Sequence, residues 1–337
     1  MRSTTLRRRS MTALCQLIPR AVLAEQMHLD QAMVTLIESA FRALVLEDCV
    51  MPPVLGMKIA DRAGEVDVKT AYWPSRDHFA IKISPGFFNN PALGLPSLNG
   101  LMVVLSSQTG RTRAILLDNG LLTDLRTAAA GGVVARHLAP NHDSLGLVGA
   151  GRQARLQLDA FLLERSVTTI HLWARDLAKA VALKAAIEVD YAQPVVIHDR
   201  LESLCKQSRS IITTTPAHEP LIQGEWITTG QHITAMGSDA PDKRELDDHC
   251  LRQADLIVVD QRTQSETRGE LRPLDATDRE ALPIRELPEL LVNGIDRDPH
   301  WITVCDLTGT GIQDTAIAEL ALSRCQKAPG VIDLLLD

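Results

Sequence analysis

Short apolar strands alternate with amphipathic helices over the second half of this chain, which predicts an α/β fold with a doubly wound parallel sheet. Two further observations support it. The stretch LGLVGAGRQA (145–154) is a buried strand running into a glycine-rich turn and a new helix, and TTIHLW (168–173) reads as the next parallel strand. Several strands precede this turn, which is the wrong order for such a sheet. They predict a separate α+β domain upstream, and 337 residues leave room for both cores.

The chain opens on MRSTTLRRRSMTALCQLIPR, basic and free of acids. That is the composition of a mitochondrial presequence, but a single basic cluster is common by chance, so residues 1–27 read as a disordered extension or an over-extended start. Residues 28–47 repeat apolar positions at helical spacing behind Asp30, a candidate cap. Strands follow at 66–73, 78–84, 101–107 and 112–118, the last two joined by the short turn QTG. A helix at 122–139 links this domain to the next. Strands or strand-like runs at 194–198, 210–215, 232–237, 255–260 and 302–307 continue the parallel sheet, with a helix at 176–188 and a last helix at 312–325 that packs back on the first domain. Residues 262–300, rich in Arg, Glu, Asp and Pro, read as a helix–loop excursion.

Composition narrows the function. A net charge of −7 argues against non-specific nucleic-acid binding. No apolar run reaches the roughly 20 residues that span a bilayer. Six scattered cysteines show no zinc spacing, which predicts no metal and suits a reducing compartment, with the cytoplasm expected.

The turn itself points to a dinucleotide. Gly149 allows the tight turn, Gly151 lets backbone approach a pyrophosphate, and Ala154 lets the helix pack closely on its strand, its N-terminus facing the anion. An NAD-specific site usually ends its second strand in an acid that binds the ribose hydroxyls. Here the strand ends Trp173-Ala174-Arg175, so a guanidinium suited to a 2′-phosphate stands there, and NADP(H) is expected, with NAD as the alternative.

Ligands of such sheets bind beyond the carboxyl ends of the strands, where TTTP, MGSDAP and DLTGTG occur. Asp239 follows an apolar strand and a glycine. It is either a helix N-cap or a carboxylate that holds an ammonium or moves a proton. Lys243 comes four residues on, within reach of cofactor or substrate. Lys82 lies in an apolar alternating strand, where a lysine needs an anion: a buried partner or a substrate carboxylate. Lys69 has the same character but reads first as the solvated face of an edge strand. Arg126 precedes a run of small residues and suits a bidentate carboxylate clamp, against the alternative of a surface salt bridge. Ser97, Thr215 and Thr308 end or follow apolar segments and could offer hydroxyls to the cofactor.

Five blocks in order, FAIKISPGFFNNPALGLPSLNG, LLDNGLLTDLRTAAAGGVVARHLAP, GAGRQARLQL, ITAMGSDAPDKREL and CDLTGTGIQDTAIA, resemble the ornithine cyclodeaminase/mu-crystallin family, above all its ectoine-utilisation branch. The likeness runs from about residue 28 to 325. It implies a homodimer whose subunits combine a discontinuous α+β dimerisation and substrate domain (28–125 and 312–337) with a Rossmann domain (126–311). It also implies a small amino-acid or imino-acid substrate, with either hydride transfer at Cα or cyclodeamination of ornithine or 2,4-diaminobutyrate. A third implied reading is a non-enzymatic NADPH-dependent binder. Carried over by motif, Lys82 and Arg126 bind the substrate carboxylate and Asp239 is the catalytic acid/base. Gly151, Arg152, Gln153, Ser97, Thr215, Met236, Gly237, Lys243, Thr308 and Gly309 fall on cofactor-contact positions. One departure stands out: the family places a carboxylate-binding arginine where Gly56 stands here, and no arginine lies between Arg42 and Arg62. Lys58 is the nearest cation, a point charge rather than a planar fork.

Overall fold

The computed structural model describes residues 14–335, arranged as two sheets with a helical layer between and around them. In the first lobe, β1 (Leu14–Pro19), α1 (Arg20–Gln26) and α2 (Gln31–Leu46) precede β2 (Leu55–Ile59), β3 (Gly64–Ala71), β4 (His78–Phe87), β5 (Leu101–Ser106) and β6 (Thr112–Leu117). Asp30 caps α2 as its position predicts, accepting from the Met33 N–H at 2.7 Å. Met33, Val34, Ile37, Ala40 and Phe41 form the buried stripe of α2. Strands β2 to β6 form an antiparallel meander, and the QTG turn closes its last hairpin with Gly110 at φ +68°. One face of the meander carries Ala71, Ala80, Met102, Val104, Ala114 and Leu116 into the core.

Residues 14–27 are not an extension. The run LCQLIP supplies β1, which pairs parallel with β6 and antiparallel with the last strand of the chain, so its backbone groups are satisfied within the sheet. The presequence-like residues 1–13 lie outside the described residues.

Helix α3 (Leu121–Leu138) runs unbroken from the first lobe to the second, across residues 125 and 126. Its small residues allow close approach: a Cβ on Gly132 would lie 2.9 Å from a Val34 methyl. The second lobe then unrolls as β7 (Asp143–Val148), α4 (Arg152–Glu164), β8 (Val167–Trp173), α5 (Leu177–Asp190), β9 (Val195–Ile197), α6 (Leu201–Gln207), β10 (Ser210–Thr213) and β11 (His232–Ala235). It continues through α7 (Asp248–Arg252), β12 (Leu256–Val259), α8 (Arg262–Arg268), α9 (Ala276–Ala281), β13 (Ile284–Glu286), α10 (Leu287–Asn293) and β14 (Thr303–Asp306). The segment 262–300 is thus more than an excursion, because β13 adds a strand beside β12. All eight strands pair in parallel in the order β13-β12-β14-β11-β10-β7-β8-β9. The chain moves outward from β7 to β9 and then crosses to β10 on the other side. That reversal opens a crevice beyond the carboxyl ends of β7 and β10. Finally α11 (Gly311–Cys325) returns to pack on α2, α3 and the first sheet, and β15 (Ile332–Leu335) pairs with β1.

Candidate active site

Two connected cavities meet at the switch point. A groove of about 280 Å³ is lined by Gly149–Gly151, Trp173–Asp176, Lys179 and Thr214–Ala217. It shares Gly151 and Thr214 with an interlobe cleft of about 820 Å³, whose lining includes Asp67, Lys69, Lys82, Ser97, Arg126, Arg152, Gln153, Asp239 and Lys243.

The groove fits a dinucleotide. Gly149 has φ +118°, and a Cβ there would meet the Thr214 hydroxyl at 2.6 Å, so the turn requires glycine. A Cβ on Gly151 would meet no atom within 4 Å, which leaves the N-terminus of α4 open, and no side chain caps its N–H groups. Ala154, in the first turn of α4, is fully buried. At the far end, Asp176 spends its carboxylate as the N-cap of α5, accepting from Ala178 at 3.0 Å. Arg175 and Lys179 are the cations beside it.

The cleft holds a buried charge cluster. Lys82 on β4 and Lys69 on β3 stand opposite one another in the ladder, and Arg126 reaches in from α3; the three side chains are almost wholly buried. Between them sits Asp314, fully buried in the first turn of α11. It pairs with Lys82 Nζ at 3.0 Å and Arg126 Nε at 3.1 Å. Lys69 instead donates to the carbonyls of Thr308 (3.3 Å) and Gly309 (2.9 Å). Burial pushes Lys82 down to about 7, with Asp314 pulling upward and Arg126 and Lys69 adding to the depression. Lys69 is lowered by burial and then by Arg126. Burial works to raise Asp314, but Lys82, Arg126 and Lys69 together hold it below the usual carboxylate range. Lys69 is therefore no solvated edge residue and Arg126 no surface ion pair.

Asp239 faces this cluster from the loop after β11. Its side chain is 52% exposed, to the water of the cleft, and accepts from Lys243 Nζ at 2.7 Å. Burial among protein groups would raise its pKa, but Lys243, Lys69 and Arg126 outweigh that and hold it low. It caps no helix: the next one, α7, starts at 248 and is capped by Asp247.

Other expected cofactor contacts are placed differently from one another. Ser97, Arg152 and Gln153 line the cleft; Arg152 and Gln153 both bind Asp124, at 2.7 Å and 3.1 Å. Thr215 lines the groove, yet its hydroxyl and N–H both donate to Glu245, and so does the Gly237 N–H at 2.7 Å. Glu245 is fully buried and ties together the loops that leave β10 and β11. Met236 packs against the hydrophobic core rather than lining either cavity. Thr308 and Gly309 line neither cavity. The Thr308 hydroxyl donates to Asp260 at 2.8 Å and the Gly309 N–H to the same carboxylate at 2.6 Å, while their carbonyls hold Lys69. Both form the wall behind the cationic cluster because these buried polar groups satisfy one another.

The sequence reading missed Asp314, Glu245 and the ion pair of Arg268 with Asp67. Among the described residues no group of three or more His, Cys, Asp or Glu side chains could hold a metal ion, and no helix is long and apolar enough to cross a membrane.

Fold and site together define a two-lobed protein: a Rossmann-type lobe joined to a discontinuous α+β lobe, with a charged cleft between. The chain belongs to the ornithine cyclodeaminase/mu-crystallin family, whose sequence profile matches residues 17–328. It is 47% identical to an uncharacterised cyclodeaminase of Sinorhizobium fredii over 89% of this chain and 92% of that protein. It is 33% identical to the alanine dehydrogenase of Archaeoglobus fulgidus over 87% and 89%. Among solved structures, an archaeal alanine dehydrogenase dimer with bound NAD superposes with a TM-score of 0.88 at 25% identity, covering 96% of this chain and all of that one (100%).

Proposed function

We propose that this protein is an oxidoreductase that interconverts a small α-imino acid and its α-amino acid by hydride transfer at Cα. The observation that carries the reading is the buried cluster: Lys82 and Arg126 share one carboxylate, Asp314, with Lys69 held on backbone carbonyls beside them, and the cluster faces an accessible Asp239 across the cleft. An excess of buried positive charge calls for an anion, and a substrate carboxylate on Lys82 and Arg126 supplies it. The Cα–N bond then lies toward Asp239, which holds the iminium or ammonium and carries its proton. Lys243, bonded to Asp239, keeps that carboxylate ionised and oriented. When bound along the groove, a reduced nicotinamide dinucleotide supplies the hydride. Arg175 and Lys179 favour NADPH, since the acid in reach, Asp176, is engaged as a cap. Lys82, Arg126 and Asp239 are the residues we assign to catalysis.

The subunit is proposed to pair with a second copy. The outward face of the meander carries Val66, Val68, Ile81, Ile83, Val103 and Ile115, all half-buried and adjacent in register, an apolar face that a second copy would cover.

The test is NADPH oxidation with a panel of cyclic and acyclic imino acids. Ammonia release from ornithine and 2,4-diaminobutyrate is assayed in parallel, the latter in view of the resemblance to the ectoine-utilisation branch. Asp239→Asn is expected to lower the rate by about 10²- to 10⁴-fold while leaving NADPH binding nearly unchanged. Ammonia release without net NADPH turnover would instead establish a cyclodeaminase.

A further inference from the structure

The cleft face of β3 changes sign along the strand. Lys69 stands beside Lys82, Asp67 beside Ser84 and Glu65 beside Gly86. Two residues of strand span about 7 Å, so a substrate whose carboxylate rests on Lys82 and Arg126 has a carboxylate, Asp67, within reach of its side chain. Asp67 is already engaged. Arg268, the last residue of α8 in the opposite lobe, donates Nη1 to Oδ2 at 2.7 Å and Nη2 to Oδ1 at 3.1 Å. Gly56 lies directly opposite Asp67 in the β2–β3 ladder, and the guanidinium fills the room a side chain there would take. A Cβ on Gly56 would lie 2.7 Å from Arg268 Nη2 and 3.1 Å from Asp67 Oδ1.

Resting on the imino-acid reading, we propose that Arg268 is a specificity-determining residue of the cleft: reaching across the lobes into the space Gly56 leaves open, it withholds Asp67 from a substrate's distal ammonium. A bidentate fork occupies both carboxylate oxygens and cancels their charge. With that pair closed, the far end of the pocket receives short, uncharged side chains. A diamino acid has to displace a guanidinium to place its second ammonium, and that cost selects against it. Arg268 acts through Asp67 and is a positioning residue.

The experiment compares wild type, Arg268→Met, Gly56→Val and Arg268→Met/Asp67→Asn with two probes. Reduction of Δ1-pyrroline-2-carboxylate reports the uncharged side chain, and the inhibition constant of 2,4-diaminobutyrate in that assay reports the charged one. Arg268→Met is expected to tighten diaminobutyrate inhibition about tenfold or more while kcat for the pyrroline stays within about threefold. Gly56→Val, which displaces the guanidinium without altering it, produces the same shift and carries the test if the Met variant folds poorly. Adding Asp67→Asn returns the constant to the wild-type value; an overall packing defect would not be reversed in this way. An unchanged constant in a folded variant, or a shift that survives Asp67→Asn, overturns the proposal and leaves the imino-acid reading standing. A wild type that reduces no imino acid overturns that reading and this proposal with it.

Discussion

Lys82 has the most consequential environment of any residue in the cleft. Burial first, then Arg126 and Lys69, depress its pKa to about 7 against the pull of Asp314. A lysine so depressed is charged below that pH and neutral above it. Its grip on a carboxylate is therefore complete in mildly acidic solution and declines as pH rises through that value, with the bound anion displacing the midpoint upward. The inhibition constant of pyruvate, whose own carboxylate stays ionised throughout, is expected to weaken as pH is raised from 6 to 9; Lys82→Arg flattens that profile. A flat profile in the wild type would remove Lys82 from the anion site. Lys82 and Arg126 were legible as anion seekers because a charge in an apolar or small-residue setting has few ordinary explanations. Asp314 was not: IQDTAIAEL reads as a helix with one polar face, and only the packed first turn shows that face to be buried. Arg268 was hidden in a charged segment, and its partner lies 201 residues away.

The glycines of the β7–α4 turn play separable parts. Gly149→Ala forces a Cβ onto a backbone at φ +118° and against the Thr214 hydroxyl, so it is expected to lower folding stability by about 1–3 kcal/mol in urea titrations. Gly151→Val meets open space and ordinary backbone, so stability should hold, while its side chain projects into the groove before α4. Fluorescence titration should show NADPH affinity reduced by about tenfold or more. Loss of stability without loss of binding in Gly151→Val would place the dinucleotide elsewhere. At this scale the long amphipathic helices and most of the parallel strands were readable, because apolar residues recur in them at one period or in one run. Three strands of the first sheet were not, and neither was β13. LGMKI (β2) carries a glycine beside two prolines, LCQLIP (β1) ends in proline, and IDLL (β15) is four residues long. Such strands exist because a neighbour offers an open ladder, which no local pattern encodes.

At the scale of the whole molecule, the outer face of the first sheet is the surface proposed to pair with a second copy. Ile81→Lys places a charge at the centre of that face without touching the cleft side of β4. Sedimentation velocity should resolve wild-type dimers into monomers, with the far-UV circular dichroism spectrum retained. A wild type that sediments as a monomer would remove the pairing proposed for this face. Asp314 has one more consequence, for biosynthesis. The carboxylate that neutralises Lys82 and Arg126 belongs to α11, and lies 188 residues after Arg126 in the chain. A ribosome releases β1 to β6 and α3 long before that helix clears the exit tunnel, so the nascent lobe carries uncompensated cations at its heart. Such a chain completes its interior only once α11 has emerged, and a product truncated before residue 314 is expected to fold incompletely and to be cleared faster in cells, as pulse-chase half-lives would show.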